Sequence, residues 1–210
     1  MIWQRGKKVK EVCLALAAKE FSVIVLAGGQ SKRMGRDKAA LSWEQGDILS
    51  SLVARLLPLS DDVVVVSNTV RKIPEPARQV ADIIPGKGPL SGIHAGLMYA
   101  RHELVFVTAC DVPFLVPTLV PSIVQAVGLA DGSVAVYKDK IEPLFACYRK
   151  SCGPVIEQLL AAQHYRVTDL LAQIKWVPVQ QLDELNDYCF MNVNTSSDYE
   201  KAREFLAKGK

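Results

Sequence analysis

The chain has 210 residues, of which 50% are hydrophobic and 22% are charged, so it can build one ordinary globular domain with a real core. Its formal net charge is +3, and residues 1–20 already carry five basic groups against two acids, which leaves residues 21–210 neutral. This balance argues against a broad nucleic-acid-binding face. No run of eighteen apolar residues occurs, which argues against a membrane-spanning helix.

The cysteines and the N-terminal segment bear on the compartment. Five cysteines, an odd number with no CxxC spacing, indicate reduced thiols and a cytoplasmic protein. Basic residues precede a short apolar run at 12–18, but Glu11 interrupts them and the run is only seven residues long. We therefore interpret residues 1–20 as a basic N-terminal extension rather than an export signal.

From Phe21 onward, strand-like and helix-like segments alternate. The apolar, β-branched run 21–26 ends at glycines and predicts a buried parallel strand. A helix follows from 48 to 57, closed by Pro58. The remaining predicted elements, in chain order, are strands at 63–66 and 79–83, a helix at 89–100, a strand at 103–110, a helix near 117–127, strands at 133–137 and 143–148, helices near 153–163 and 167–174, a strand at 176–179 and a helix near 197–207.

This alternation predicts a single three-layer α/β/α domain over residues 21–210, with a mostly parallel, twisted sheet. Ligands of such sheets gather at the carboxyl ends of the strands. The segment after the first strand, 26–38, reads Leu-Ala-Gly-Gly-Gln-Ser-Lys-Arg-Met-Gly-Arg-Asp-Lys. Its glycines free backbone N–H groups, and its four basic residues, offset by Asp37, suit a polyanion such as a nucleoside triphosphate. The segment matches neither a Walker A loop nor a GxGxxG fingerprint, and a flexible basic loop is the plain alternative.

The same segment resembles the signature of nucleotidyltransferases with the nucleotide-diphospho-sugar-transferase fold. More narrowly, it is similar to the molybdenum cofactor guanylyltransferase family, which attaches GMP to molybdopterin. Five further blocks resemble family motifs in the same order, at 63–68, 82–93, 107–114, 142–149 and 190–195. The resemblance implies transfer of GMP from GTP to the terminal phosphate of molybdopterin or the molybdenum cofactor, with Mg²⁺ and release of pyrophosphate. It also implies molybdoenzymes or their chaperones as candidate partners.

The resemblance assigns roles to particular residues. Asp111, which follows an apolar strand, becomes the Mg²⁺ ligand, and Lys38 and Arg33 become catalytic cations on the phosphates. Asn192 and Asn194 alternate on an extended stretch and become acceptor-binding residues. The nucleotide-binding set implied by the family motifs is Leu26, Ala27, Gly28, Gly29, Gly35, Lys38, Asn68, Asp82, Gly88, Pro89, Leu90 and Asp111.

Several alternatives stay open at this point. Outside the family context, Asp111 is a turn residue before proline and Lys38 is a solvated loop lysine. Another nucleotidyltransferase, one that uses CTP or a sugar-phosphate acceptor, would carry similar motifs. A catalytically silent nucleotide-binding partner could keep the same fold. A nicotinamide-binding oxidoreductase is disfavoured because its pyrophosphate fingerprint is absent.

Overall fold

A seven-stranded sheet forms the centre of the structure, a computed structural model that describes residues 20–28, 39, 41–44, 46–180 and 187–208. The order across the sheet is third, second, first, fourth, sixth, fifth and seventh strand, counted along the chain. A separate two-stranded hairpin precedes the first helix. In chain order, the strands are β1 (Phe21–Leu26), β2 (Ser42–Trp43), β3 (Gly46–Asp47), β4 (Val63–Val66), β5 (Arg78–Val80), β6 (Leu104–Ala109), β7 (Gly132–Tyr137), β8 (Lys140–Arg149) and β9 (Trp176–Val179).

The large sheet is mostly parallel. Strand β1 pairs in parallel with β4 and β6, β4 pairs in parallel with β5, and β7 pairs in parallel with β9. Strand β8 runs antiparallel to its two neighbours, β6 and β7. The predicted mostly parallel sheet is therefore confirmed, with one reversed strand inserted between two parallel ones.

Helices cover both faces of this sheet. They are α1 (Ile48–Leu56), α2 (Pro89–Tyr99), α3 (Val120–Ala126), α4 (Gly153–Ala161) and α5 (Val167–Leu171). A sixth helix, α6 (Ser196–Lys208), belongs to a smaller cluster that includes Trp43 of the β2–β3 hairpin. One buried cluster packs α1 and α3 on the sheet, and a second packs α2, α4 and α5 on the opposite face. Along β1, Val23 and Val25 join the first cluster, whereas Ile24 and Leu26 join the second. This arrangement confirms the three-layer α/β/α domain.

Local sequence accounts for the ends of α1 and for the close packing of α2. The Asp47 carboxylate caps α1 by accepting from the N–H of Ser50 at 2.6 Å. Pro58 lies in the 3₁₀ turn that ends this helix, as predicted. Helix α2 packs tightly on β1, because a Cβ on Gly96 would lie 2.8 Å from Cγ2 of Ile24. Among the described helices, none is long and apolar enough to cross a membrane.

Several predicted boundaries differ from the structure, and three of the differences have a clear local reason. Strand β5 ends at Val80 rather than Ile83, because the N–H of Asp82 donates to the side chain of Asn68 instead of to a neighbouring strand. Strand β8 begins at Lys140 rather than Pro143, since the preceding two residues have positive φ and form a tight hairpin turn. The helix near 117–127 begins as a 3₁₀ turn and becomes regular only from Val120.

The predicted basic extension, residues 1–20, lies outside the described residues except for Glu20 and stays a prediction.

Candidate active site

Three parallel strands bring their carboxyl ends together at the candidate site. Strands β4, β1 and β6 are adjacent, with Leu26 in register with Val66 on one side and Ala109 on the other. The backbone continues this pairing, because the N–H of Ala27 donates to Val66 at 2.9 Å and the N–H of Cys110 donates to Leu26 at 2.9 Å. The segments that follow these strands therefore surround one cavity of about 740 Å³.

This larger cavity gathers most of the described residues in the predicted nucleotide-binding set. Leu90 lies elsewhere, because its side chain is buried in the core between α2 and the sheet. Gly29, Arg33, Gly35 and Lys38 lie outside the described residues. Gly28 and Ala39, on either side of that segment in the sequence, both line the cavity. The predicted residues that line the cavity are Leu26, Ala27, Gly28, Asn68, Asp82, Gly88, Pro89 and Asp111.

Asn68 and Asp82 form a reciprocal pair on one side of the larger cavity. The Asn68 amide donates to the Asp82 carboxylate at 3.1 Å, and the N–H of Asp82 donates back to Oδ1 of Asn68 at 2.9 Å. Burial raises the pKa of Asp82, and the hydrogen bond from Asn68 opposes that increase only in part. The two polar side chains thus form one fixed unit that can accept and donate toward a ligand.

The turn before α2 brings backbone close to this cavity. Gly88 has φ of 73°, a left-handed conformation that glycine adopts without steric cost, and Pro89 follows as the first helical residue. Lys87, next to this turn, donates to the Tyr165 hydroxyl at 3.0 Å and lies 4.9 Å from the centre of its ring. The contact between Lys87 and Tyr165 therefore links this turn to the segment that precedes α5.

Asp111 follows β6 in a loop that is held from two sides. The Arg55 guanidinium, on α1, donates to the carbonyl oxygens of Pro113 and Leu115. From the C-terminal segment, the N–H of Val193 donates to the carbonyl oxygen of Asp111 at 2.8 Å. The loop is therefore ordered before any ligand arrives, which favours precise placement of the Asp111 carboxylate.

A second cavity of about 530 Å³ adjoins the first. Asp111, Pro89, Ala109 and Leu144 line both cavities, so Asp111 lies at their boundary. The second cavity combines apolar walls with amide, hydroxyl, carboxylate and guanidinium groups. Its remaining lining residues are Val112, Glu142, Pro143, Phe145, Tyr165, Arg166, Val167, Thr168, Phe190, Asn192 and Asn194.

Asn192 and Asn194 both line this second cavity, while Val193 between them is fully buried. The start of α6 fixes the stretch, since the Asp198 carboxylate accepts from the N–H groups of Asn194 at 3.0 Å and Thr195 at 2.8 Å. Asn192 and Asn194 therefore line the same cavity, in agreement with the predicted alternation of these side chains along an extended stretch.

Sequence reasoning missed Glu142, Arg166 and Thr168, which also line the second cavity. Burial raises the pKa of the Glu142 carboxyl, Lys140 lowers it, and the negative charge of Asp111 raises it further. Glu142 stood inside a recognised motif, which was the one available signal. No local pattern marks Arg166 or Thr168, because they lie at the start of α5 and reach the cavity only through the packing of that helix on the sheet.

Comparison with a solved structure identifies the fold class of the chain. The solved structure of molybdopterin-guanine dinucleotide biosynthesis protein A from Archaeoglobus fulgidus superposes with a TM-score of 0.77 at 23% identity, over 89% of this chain and 99% of that one. The fold is therefore that of the nucleotidyltransferases.

Sequence comparison then identifies the family. The model of the MobA-like NTP transferase domain matches residues 23–179. The probable molybdenum cofactor guanylyltransferase of Carboxydothermus hydrogenoformans is 38% identical over 184 residues, which cover 86% of this chain and 93% of that protein. That of Pelotomaculum thermopropionicum is 36% identical over 185 residues, covering 86% and 90%. The chain belongs to the MobA-like NTP transferase family and is a nucleotidyltransferase of the molybdenum cofactor guanylyltransferase group.

Proposed function

We propose that the chain transfers GMP from GTP to the terminal phosphate of molybdopterin or the molybdenum cofactor and releases pyrophosphate. The names of the similar proteins support this choice of substrates. The structural observation that carries the proposal is the pair of adjoining cavities with the Asp111 carboxylate at their boundary. A group-transfer enzyme with two substrates needs such a boundary, where the reacting phosphates meet.

The larger cavity is suited to the nucleotide. The paired side chains of Asn68 and Asp82 offer donors and acceptors to a base and ribose. Gly28 and Ala39, which also line this cavity, flank the segment that contains Gly29, Arg33, Gly35 and Lys38. We infer that the glycines of this segment admit the phosphates to backbone N–H groups and that Lys38 and Arg33 neutralise them.

The residues at the boundary fit a magnesium ion. Mg²⁺ prefers hard oxygen ligands and is commonly held by one or two carboxylates together with substrate phosphates. Among the described residues, no three His, Cys, Asp or Glu side chains form a ready-made cage, so Asp111 would bind the ion jointly with the phosphates of GTP. When bound, Mg²⁺ supplies positive charge that stabilises the developing charge on phosphate oxygens.

The protein's own contribution is alignment and charge. An oxygen of the acceptor's terminal phosphate attacks the α-phosphorus of GTP, a phosphoanhydride bond forms, and the bond to the β-phosphate oxygen breaks. An ionised phosphate needs no protein base to activate it. Catalysis therefore requires only that the two cavities align the substrates and that the cations of residues 29–38 neutralise the phosphate charge. Asn192, Asn194 and Arg166 would hold the acceptor in the second cavity.

The test is pyrophosphate release by the full chain with Mg²⁺, purified molybdopterin and each of GTP, CTP, ATP and UTP in turn. We expect release with GTP, and a loss of at least about 100-fold in kcat for Asp111→Asn and Lys38→Ala. Asp139→Asn, in an exposed hairpin turn, and Lys208→Ala, on α6, are the matched controls and should retain activity. GTP binding without release in the wild-type chain would contradict the proposal and favour a silent nucleotide-binding partner.

A further inference from the structure

The second cavity is lined by apolar side chains from both faces of the sheet. Val112 and Phe145 belong to the buried cluster that includes α1 and α3, and Phe190 packs against that cluster. Val167 belongs to the cluster on the opposite face, against which Tyr165 packs. Apolar side chains from two directions, with polar side chains among them, suit a flat ring that carries polar atoms on its edge.

Tyr165 differs from the other two aromatic side chains that line this cavity. Phe145 packs edge-on against Phe106, with ring centres 5.2 Å apart, and Phe190 stacks on Tyr137 with ring centres 4.8 Å apart. The rings of Phe145 and Phe190 also contact each other at 5.3 Å. Tyr165 is half-buried and contacts no other aromatic ring within the described part of the chain. Its ring is therefore the aromatic surface of the cavity that no other ring already engages.

The turn before α2 holds Tyr165 by its side chain and by its backbone. The ammonium group of Lys87 donates to the phenol oxygen of Tyr165 at 3.0 Å. A Cβ on Gly88 would lie 3.7 Å from the carbonyl oxygen of Tyr165, so the turn packs directly on the backbone of this residue. Gly86 and Gly88, on either side of Lys87, have φ of 80° and 73°, which glycine adopts without steric cost. The Tyr165 ring is therefore held in place before a ligand arrives, and little entropy is lost on binding.

We propose that Tyr165 stacks on the pterin ring of the acceptor and that Lys87 is the positioning residue that orients Tyr165. A pterin is flat and conjugated, so its face packs on an aromatic side chain as the face of a nucleobase does. Lys87 lines neither cavity, although Gly86 and Gly88 beside it line the larger one. A residue on the nucleotide side therefore acts on the acceptor. The inference rests on the proposed function and adds the residues that recognise the ring of the acceptor rather than its phosphate.

The experiment measures both substrates in variants of Tyr165 and Lys87. Steady-state kinetics give kcat and KM for molybdopterin, and calorimetry gives the Kd of GTP with Mg²⁺, for the full-length wild-type chain, Tyr165→Leu, Tyr165→Phe, Lys87→Met and the double variant of the last two. 6-Hydroxymethylpterin, which carries the ring without the phosphate, is tested as a competitive inhibitor against molybdopterin. Tyr99→Leu and Lys175→Met, at exposed positions that line neither cavity, are the matched controls, and thermal unfolding verifies that each variant is folded.

We expect Tyr165→Leu to raise KM for molybdopterin and the inhibition constant of 6-hydroxymethylpterin about fivefold or more, with kcat and the Kd of GTP unchanged. Tyr165→Phe and Lys87→Met break the same hydrogen bond, so each should raise KM for molybdopterin about two- to tenfold. The double variant should show no larger effect than either single change. Both controls should behave as the wild-type chain does.

Three outcomes would contradict the inference or its basis. An unchanged inhibition constant of 6-hydroxymethylpterin in Tyr165→Leu, or no inhibition of the wild-type chain, would overturn the stacking role of Tyr165. Additive effects of Tyr165→Phe and Lys87→Met would show that Lys87 acts independently and would overturn its positioning role. No release of pyrophosphate by the wild-type chain with any nucleotide would instead overturn the proposed transfer. Where Tyr165→Leu does not fold, inhibition of the wild-type chain and the other variants decide.

Discussion

The backbone N–H of Val193 donates to the carbonyl oxygen of Asp111 at 2.8 Å, which joins the C-terminal segment to the loop after β6. This hydrogen bond places Asn192 and Asn194, the proposed acceptor-binding residues, next to the residue at the boundary of the two cavities. One backbone contact can therefore align the two proposed substrate sites, while mutations can change the side chains of each site separately.

Asn192→Ala and Asn68→Ala should each weaken the binding of a different substrate. Asn192 lines only the second cavity and Asn68 lines only the first. We expect Asn192→Ala to raise KM for molybdopterin about two- to tenfold, the cost of one hydrogen bond, with GTP affinity unchanged. Asn68→Ala should weaken GTP binding by a similar factor and leave KM for the acceptor unchanged. Steady-state kinetics and GTP calorimetry measure both, and a shift of both substrates in either variant would contradict the division.

Arg166→Gln should raise KM for the acceptor in a salt-dependent way. Arg166 lines the second cavity and is exposed, so its attraction to an anionic acceptor is screened by ions. We expect the gap in KM between the wild-type chain and the variant to narrow between about 0.05 M and 0.5 M salt. Arg203→Gln, on the exposed side of α6, is the control that should show no gap. An unchanged KM at low salt would exclude Arg166 from acceptor binding.

Asp62 should stabilise the fold without affecting the chemistry. Its buried carboxylate accepts from the Ser22 hydroxyl at 2.5 Å, from Arg78 Nη2 at 2.9 Å and from the N–H of Arg101 at 2.8 Å. Because Asp62 precedes β4, it lies at the end of the strands opposite the cavities. We expect Asp62→Ala to lower the free energy of unfolding by about 3 kcal/mol at pH 7 with kcat unchanged in the folded protein.

The contribution of Asp62 should also depend on pH. Burial would raise the pKa of Asp62, but the hydrogen bonds from Ser22, Arg101 and Arg78 outweigh it and hold the pKa below its usual value. A depressed pKa stabilises the fold fully above the unfolded value, about 3.9, and this stabilisation is lost as the pH falls through the folded value. Urea unfolding from pH 7 downward should therefore show Asp62→Ala approaching the wild-type chain only below about pH 4. Convergence at higher pH would contradict this assignment.

Gly96→Ala should push α2 away from β1. The added Cβ would lie 2.8 Å from Cγ2 and 2.9 Å from Cγ1 of Ile24, which has no free space in the core. We expect a loss of about 1–3 kcal/mol in the free energy of unfolding, and a smaller effect in the double variant with Ile24→Ala than the sum of both changes. Gly46→Ala, whose new Cβ meets only ordinary contact, is the control. Strict additivity in urea unfolding would show that the contact is not the cause.

The sheet and its helices could be predicted because their signals are local. The apolar, β-branched runs of β1 and β4 and the proline at the start of α2 identify their elements without knowledge of the fold. The end of β5 could not be predicted, because the Asn68 side chain captures the N–H of Asp82 from 14 residues away. A side chain that replaces a strand partner leaves no periodic pattern.

The sequence predicted much of the larger cavity but only part of the second, including Asp111, Asn192 and Asn194. The larger cavity follows successive parallel strands, whose carboxyl ends meet by the rules of α/β sheets. The second cavity depends on β8 lying between β6 and β7, which brings Glu142 near Asp111, and on the packing of α5 on the sheet, which brings Arg166 to the cavity. Such long-range packing has no signature in local sequence, so Arg166 emerged only from the fold, and Glu142 had no signal other than its place inside a family motif.

The most direct test of the central claim follows the phosphates of GTP. The full chain is incubated with Mg²⁺, molybdopterin and GTP that is labelled in separate reactions at the α- and the γ-phosphate. The proposed transfer predicts that the α-label appears in the pterin dinucleotide and the γ-label in pyrophosphate, and that Asp111→Asn abolishes both. Release of the γ-label as inorganic phosphate, or of the α-label as free GMP with no labelled dinucleotide, would contradict the account.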